Sequence, residues 1–404
     1  MRIAILVYCY PVAYSPTILD TALYWARRDY IVDLLVDRFV YAEIEKQHPN
    51  INIIYCTSLT PITRSVKSIE IKRNLIFNSS FITRISVYHS LYKSIFTDWL
   101  MPLRAYASGV RKYVGKFTYL FIIAFDADAL IAADWSGLSA KYPYYYHSLE
   151  LYENNTFKNR LRRKMEKKAC AGVRFVVVQD EQRAAQLISG LDTRGLKLFL
   201  CPVSVMGPSL LEKGDYIFKK YNIPSGKKII LYTGAFYAEA FIEEMAYATN
   251  DTLWNNEWVM LLHGFCNSDN VLEKIRSKTS RDKVILSLNS LSQGELDQLT
   301  ASAHIGLALY KQLNANLVLT VFSSGKMAQY AKCSLPVVLT ANKISDEFIN
   351  NFGCGLTIPD EKGLCRAISG ILSDYERYRL NMIKTFEQKF NFETNYKLVA
   401  DAIQ

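Results

Sequence analysis

The chain has 404 residues, half of them hydrophobic, enough for two ordinary domains that each bury a core. Its net charge of +10 sits entirely in the first half: residues 1–200 hold 27 Lys and Arg against 17 Asp and Glu, while residues 201–404 hold 21 of each. No run reaches the roughly 20 apolar residues of a membrane-spanning helix, and the eight cysteines and five histidines are too dispersed for a metal or redox motif.

The start, Met1 to Tyr8, reads as a first strand and not as a signal peptide. Apolar runs of strand length then recur, each followed by a helical pattern, as in an α/β fold with parallel sheets and crossover helices. In the first half they are Arg2–Tyr8, Ile31–Val36, Ile51–Tyr55, Tyr119–Ala124, Tyr144–His147 and Arg174–Val178. The second half repeats the rhythm at Lys228–Tyr232, Trp258–Leu262, Lys283–Ser287, Ile305–Tyr310, Leu335–Leu339 and Cys354–Ile358. Residues 63–116, rich in Arg, Lys and aromatics, carry no clear strand and read as helices and loops. Between Leu200 and Gly214 two prolines and two glycines interrupt the rhythm and mark a hinge. The expected organisation is a first Rossmann-like domain over 1–205, a second over 206–384, and a terminal helix over 385–404 for which a return onto the first domain is one packing. Ser292-Gln293-Gly294-Glu295 is a capping box that starts a helix across Glu295–Ala303.

Candidate chemistry gathers in the second half. Ser323-Ser324-Gly325-Lys326 opens a short helix whose first-turn amides and lysine suit a phosphate, although an ordinary helix cap accounts for the turn equally well when it is taken alone. Two strands end nearby in Thr233-Gly234 and His263-Gly264, where glycine permits close backbone approach, and a third ends at Tyr310. Together they describe one crevice at the carboxyl ends of a parallel sheet, the usual ligand position of such folds.

In this order the motifs resemble the donor domain of family 4 type glycosyltransferases of GT-B fold: Tyr232-Thr233-Gly234, His263-Gly264, Leu299 to Leu307, Ser324 to Ala331, Leu335-Pro336-Val337-Val338 and Gly353-Cys354-Gly355. The first half resembles the same group at Tyr146 to Tyr152 and at Val176 to Arg183. The resemblance implies two Rossmann-like domains with parallel sheets facing across a cleft. It also implies a nucleotide-sugar donor held by the second domain, and sugar transfer that retains anomeric configuration and needs neither metal nor cofactor. Donor-binding residues would be Gly234, His263, Gly264, Ser323, Ser324, Gly325, Lys326 and Gln329, with Lys311 as a second cation. Two departures stand out. Relatives often carry glutamates eight residues apart where this chain has Val321 and Gln329, and a basic residue in the loop after Thr233-Gly234 where Ala235 to Ala240 holds none; the glycine pair after the first strand is missing as well.

The catalytic candidates are Lys326, which would stabilise the departing diphosphate, with Glu150 and His147 in the first domain. Glu150 also reads as a helix-start carboxylate, and His147 as a core residue. Tyr10, Tyr14 and Asp126 lie where an acceptor would be bordered, though aromatic packing also explains the tyrosines; Asp128 and Asp134 read as helix caps. The basic clusters Arg104, Arg111, Lys112, Lys116 and Lys158–Lys168, with the aromatic and basic stretch Ile69–Tyr106, suit either an anionic membrane surface or a solvated face. The implied partners are a glycan or lipid-linked acceptor, in cell-surface polysaccharide synthesis at the cytoplasmic side of the membrane, and no nucleic acid. A noncatalytic binder of membrane or polyanion and a nucleotide-sugar epimerase remain as alternatives.

Overall fold

The computed structural model describes residues 1–10, 12–37, 44–57, 93–191, 195–266 and 268–404. The expected features at Ile69–Tyr92 and Pro11 lie outside the described residues. The chain divides into two compact units, Met1–Cys201 and Pro202–Gln404.

In the first unit seven parallel strands stand in the order β3-β2-β1-β4-β5-β6-β7. They are β1 (Arg2–Val7), β2 (Ile31–Val36), β3 (Ile51–Tyr55), β4 (Ile122–Phe125), β5 (Tyr144–His147), β6 (Val176–Val178) and β7 (Leu198–Leu200). Helices α1 (Pro16–Ala26), α2 (Met101–Val114), α3 (Asp126–Trp135), α4 (Phe157–Cys170) and α5 (Glu181–Leu191) accompany them, and a π-helical turn over Lys93–Leu100 leads into α2. The strands are apolar along most of their length, aliphatic in β1, β2 and β6 and aromatic in β5 (Tyr144–Tyr146), because both faces of a parallel sheet are covered. Asp33, inside β2 and fully buried, is satisfied by Arg2 at 2.7 Å, Tyr119 Oη at 2.5 Å and Asn52 Nδ2 at 2.9 Å. Tyr119 therefore stands ahead of the strand, which begins at Ile122 instead of at Tyr119.

The second unit carries six parallel strands in the order β10-β9-β8-β11-β12-β13: β8 (Lys228–Thr233), β9 (Trp258–His263), β10 (Val284–Ser287), β11 (Ile305–Ala308), β12 (Val337–Thr340) and β13 (Gly355–Ile358). Its helices are α6 (Tyr216–Tyr221), α7 (Ile242–Tyr247), α8 (Asp269–Lys278), α9 (Gln293–Ala301), α10 (Ala315–Val318), α11 (Gly325–Lys332), α12 (Lys343–Phe352), α13 (Leu364–Ser373), α14 (Tyr375–Thr385) and α15 (Phe392–Ile403). Alternate residues of β8 feed two cores. Ile229 and Leu231 pack with Met327, Ala328 and Tyr330 of α11, and Ile230 and Tyr232 with Ile242 and Met245 of α7. The capping box at Ser292 and Glu295 forms in full. The segment expected as one terminal helix is a π-helical turn, Phe386–Phe390, followed by α15, which restarts with Asn391 accepting from the Thr394 amide.

Both sheets share one strand order, so each has a switch point where crossovers leave on opposite sides: β1 beside β4 in the first unit and β8 beside β11 in the second. Ligands of open α/β sheets bind at the carboxyl ends of strands at such points. Among the described residues no helix is long and apolar enough to cross a membrane, and no group of three or more His, Cys, Asp or Glu is placed to hold a metal.

Candidate functional site

At the switch point of the second unit, β8 and β9 end in register with Thr233 opposite His263. Gly234 (φ +131°) and Gly264 (φ +154°) then take backbone conformations that residues with a side chain rarely adopt. A Cβ on Gly264 would lie 1.8 Å from the Gly234 carbonyl oxygen, and one on Gly234 would lie 3.4 Å from Lys326 Nζ. The two loops thus close on each other, and the lysine faces them. Its helix, α11, is anchored by Tyr330, whose ring crosses the sheet at Gly306, where a Cβ would lie 2.5 Å from it. The Tyr330 hydroxyl accepts from the Thr233 amide at 2.9 Å. One side chain therefore ties the start of α11 to the end of β8.

Lys326 Nζ sits 3.8 Å from the centroid of the Tyr232 ring and 4.8 Å from that of Tyr310. Among the described residues no carboxylate pairs with it, and burial pushes its ammonium down to about 7. The Tyr310 hydroxyl meets Ser324 Oγ at 3.2 Å. Ser324 is the N-cap of α11 but makes no side-chain cap, so the first-turn amides of Gly325 and Lys326 have no acceptor within the helix. An uncompensated cation, aromatic walls and amides opening on two glycine loops form a receptor for a phosphate anion. Of the other expected donor residues, Ser323 gives its hydroxyl to Leu319 O at 2.5 Å. His263 Nδ1 meets Ser287 Oγ at 2.9 Å and is lowered by burial to about 4, so it is neutral. Gln329 is spent inside the fold: its amide donates to Asp297 Oδ1 at 2.8 Å and accepts from Gln293 at 3.1 Å, while Lys332 pairs with Asp297. Lys311 is ion-paired with Glu244 at 2.7 Å.

The rim of the first unit holds a second polar cluster. Asp126 follows β4 at φ +65°, an unusual conformation for a residue with a side chain. Its Oδ1 accepts from the amides of Leu149 and Glu150 at 2.7 and 2.9 Å, and its Oδ2 is buried with no hydrogen-bond partner. Gln179 donates to Ser148 O at 2.7 Å and Arg183 to Leu149 O at 2.8 Å, which fixes the loop that presents Glu150. Burial raises the Glu150 carboxyl against the pull of Arg183. The Tyr10 phenol is raised well above its ordinary value by burial, then by Glu150 and Asp126, whereas Tyr14 is an exposed residue of a short 3-10 turn. His147 lies in the core, 2% exposed, edge-on to Phe125 at 4.8 Å and pushed down by burial to about 3.

Two sequence readings are corrected. Asp128 is not a helix cap: it lies in the first turn of α3, buried, with Arg162 Nε at 2.8 Å, Arg162 Nη2 at 3.1 Å and Trp99 Nε1 at 3.1 Å. Asp134 likewise lies inside α3, in its last turn. Nor is the Lys158–Lys168 run one solvated face. Arg162 is buried against Asp128, and Arg163 is buried with Glu166 at 3.1 Å. Arg160, Lys164, Lys167 and Lys168 remain exposed.

Burial first, then Glu150, raises the Asp126 carboxyl from an ordinary 3.8 to about 8. The folded state therefore holds more protons than the unfolded chain between pH ~4 and ~8, and stability contributed here falls as pH rises through that window. Asp126→Asn keeps both amide contacts and abolishes the titration. It is expected to stabilise the protein at pH 8 by about 1–2 kcal/mol, a rise of roughly 2–8 °C in Tm, and to change nothing at pH 4. Calorimetric scans at the two pH values check this; equal Tm differences at both would contradict a raised carboxyl.

No protein-family model matches the sequence, and no curated protein matches it significantly. Solved structures do match. Sucrose-phosphate synthase from Thermosynechococcus elongatus shares 16% identity over 99% of this chain and 98% of its own, with a TM-score of 0.67. HepE from Anabaena, solved with UDP and glucose, shares 12% over 100% and 99%, also at 0.67. WaaG, a glycosyltransferase involved in lipopolysaccharide biosynthesis, shares 13% over 100% of both chains at 0.63. Two parallel sheets of matching strand order, together with likeness along the whole chain, show that this protein has the GT-B fold of these glycosyltransferases.

Proposed function

We propose that the protein is a glycosyltransferase that takes a sugar from a nucleoside diphosphate donor bound at the β8–β9–α11 rim and passes it to a hydroxyl of a glycan or lipid-linked acceptor. The observation that carries this reading is Lys326, a cation with no acidic partner among the described residues, aimed at the Gly234 loop beside the open amides of α11. HepE was solved with UDP at the same fold, so UDP is the first donor nucleotide to try. The bond between the anomeric carbon and the diphosphate oxygen breaks while the acceptor oxygen bonds to that carbon. Its proton leaves on the departing phosphate, so retention needs no separate base. Lys326 and the α11 amides stabilise the charge that grows on the leaving group. Asp126, Glu150 and Tyr10 supply hydrogen-bonding groups that suit sugar hydroxyls, with Glu150 the catalytic candidate of that unit.

The test incubates the protein with UDP-, GDP-, ADP- and dTDP-sugars, with and without extracted membrane glycolipid, and measures nucleoside diphosphate release and sugar incorporation. Release with one donor, coupled to incorporation, is expected. Isomerised sugar without acceptor would instead identify an epimerase, and no turnover of any donor would favour a noncatalytic binder of membrane or polyanion, a reading in keeping with the commitment of Gln329 to Asp297.

A further inference from the structure

The first unit carries a groove of about 330 Å³ that the donor chemistry does not use, lined by Arg104, Ala107, Ser108 and Arg111 of α2 and by Trp135 at the end of α3. Arg104 and Arg111 are seven residues apart, so they share one helix face with a rise of about 10 Å between them, within reach of two converging side chains. No residue of α2 is acidic. Neither arginine makes an ion pair with a described residue; Arg104 only lies over the Trp135 ring, 5.4 Å from its centroid. Both guanidinium groups are exposed and open to a ligand, whereas the buried Arg162 and Arg163 are each taken up by a carboxylate. Between the two cations the solvent face of α2 offers only Ala105 and Ser108, small enough to let a ligand approach the helix.

We propose that this groove is a binding site for a phosphate ester, gripped by the guanidinium groups of Arg104 and Arg111 over the Trp135 ring. Planar guanidinium forks match phosphate oxygens two at a time, and the volume lies at the small end of ligand pockets. A phospholipid head group and a soluble sugar phosphate present the same chemistry. Exposed Met101, one turn before Arg104 at the N-terminal end of α2, adds apolar contact that only the lipid would use, so the lipid arm is expected to be the stronger.

The full-length protein is titrated with neutral phosphatidylcholine vesicles, with the same vesicles containing phosphatidylglycerol, and with soluble glycerol 3-phosphate. The wild type is compared with R104Q/R111Q and with K164Q/K167Q, which removes the same charge from the exposed face of α4. The expected result is binding to the phosphatidylglycerol vesicles, or to glycerol phosphate, that weakens at least tenfold in R104Q/R111Q and less than twofold in K164Q/K167Q. Circular dichroism and nucleotide binding should be unchanged in both. No binding to either phosphate source, or equal losses in the two variants, would overturn the site, the second by showing unspecific charge attraction. Because the groove lies in the first unit and the nucleotide rim in the second, failure here leaves the transferase reading standing.

Discussion

Replacing Lys326 by Met is expected to lower kcat by about 10²–10³-fold while weakening nucleoside diphosphate binding by only about tenfold. The two effects differ because charge on the leaving diphosphate grows as the glycosidic bond breaks, so a fixed cation gains more in the transition state than in the ground state. Methionine preserves the apolar stem between Tyr232 and Tyr310, which separates the loss of charge from a loss of packing. The site also makes a pH prediction. With its ammonium lowered by burial to about 7, the empty site is mostly neutral at pH 8, and a bound diphosphate draws a proton back onto Nζ. Affinity should therefore fall by up to about tenfold per pH unit above 7, and this dependence should vanish in Lys326→Met. The neighbours that face Nζ, Tyr232 and Tyr310, are both raised above their ordinary values by burial and stay neutral across the range. Isothermal titration in buffers of different ionisation enthalpy reads the proton uptake directly. Uptake of no proton at pH 8, or equal losses in kcat and affinity, would remove Lys326 from the role given to it.

Gly264→Ala is expected to destabilise the second unit by about 3 kcal/mol, a fall of roughly 6–12 °C in its Tm. The added methyl meets the Gly234 carbonyl at 1.8 Å, a backbone atom held by its neighbouring strands, at a φ of +154°. Relief requires the β8 and β9 loops to part, which carries Gly234 away from Lys326. Nucleotide affinity should fall with stability, and the remaining folded protein should bind at least tenfold more weakly. Gly294→Ala, inside α9 where the new methyl meets nothing, is the matched control and should leave affinity unchanged while holding or slightly raising stability. A stable G264A protein with full affinity would show that the two loops do not form the binding surface.

Much of the fold was legible because both faces of each parallel sheet are buried. Ile31–Val36, Ile51–Tyr55 and Tyr144–His147 were readable with the bounds they have, since each run is closed on at least one side by a residue unsuited to a strand: Asp37, Asn50 and Pro143. β7 was missed: Leu198–Leu200 is three residues long, lies at a sheet edge, is only partly covered and runs into Pro202. The strand at Ile305 stops at Ala308, two residues short of expectation, because the Tyr310 amide turns to Thr340 Oγ1 at 2.8 Å.

The candidate site was legible where a single residue type implies chemistry, as with Gly234, Gly264 and Lys326. It was hidden where meaning depends on partners far along the chain. The cage around Lys326 needs Tyr232, 94 positions away, and the burial of Arg162 needs Asp128 and Trp99, so that the basic run read as wholly exposed, whether to an anionic membrane or to solvent. Gln329 illustrates the same limit, since the sequence offers its amide to a ribose while Asp297 and Gln293 already hold it. Asp126 drew attention only as a strand-end carboxylate; its orphan Oδ2 and its backbone strain belong to the folded loop.

The most direct test of the central claim is a thermal-shift titration of wild type and Lys326→Met with UDP, GDP, ADP, dTDP and CMP. A ligand present at 100 times its dissociation constant adds about 2.7 kcal/mol to the native state, enough to resolve one base from another. The account predicts a shift with one nucleotide, reduced in the variant. An unchanged melting temperature with all five, in a protein that melts cooperatively, would contradict a nucleotide-sugar site at the β8–β9–α11 rim.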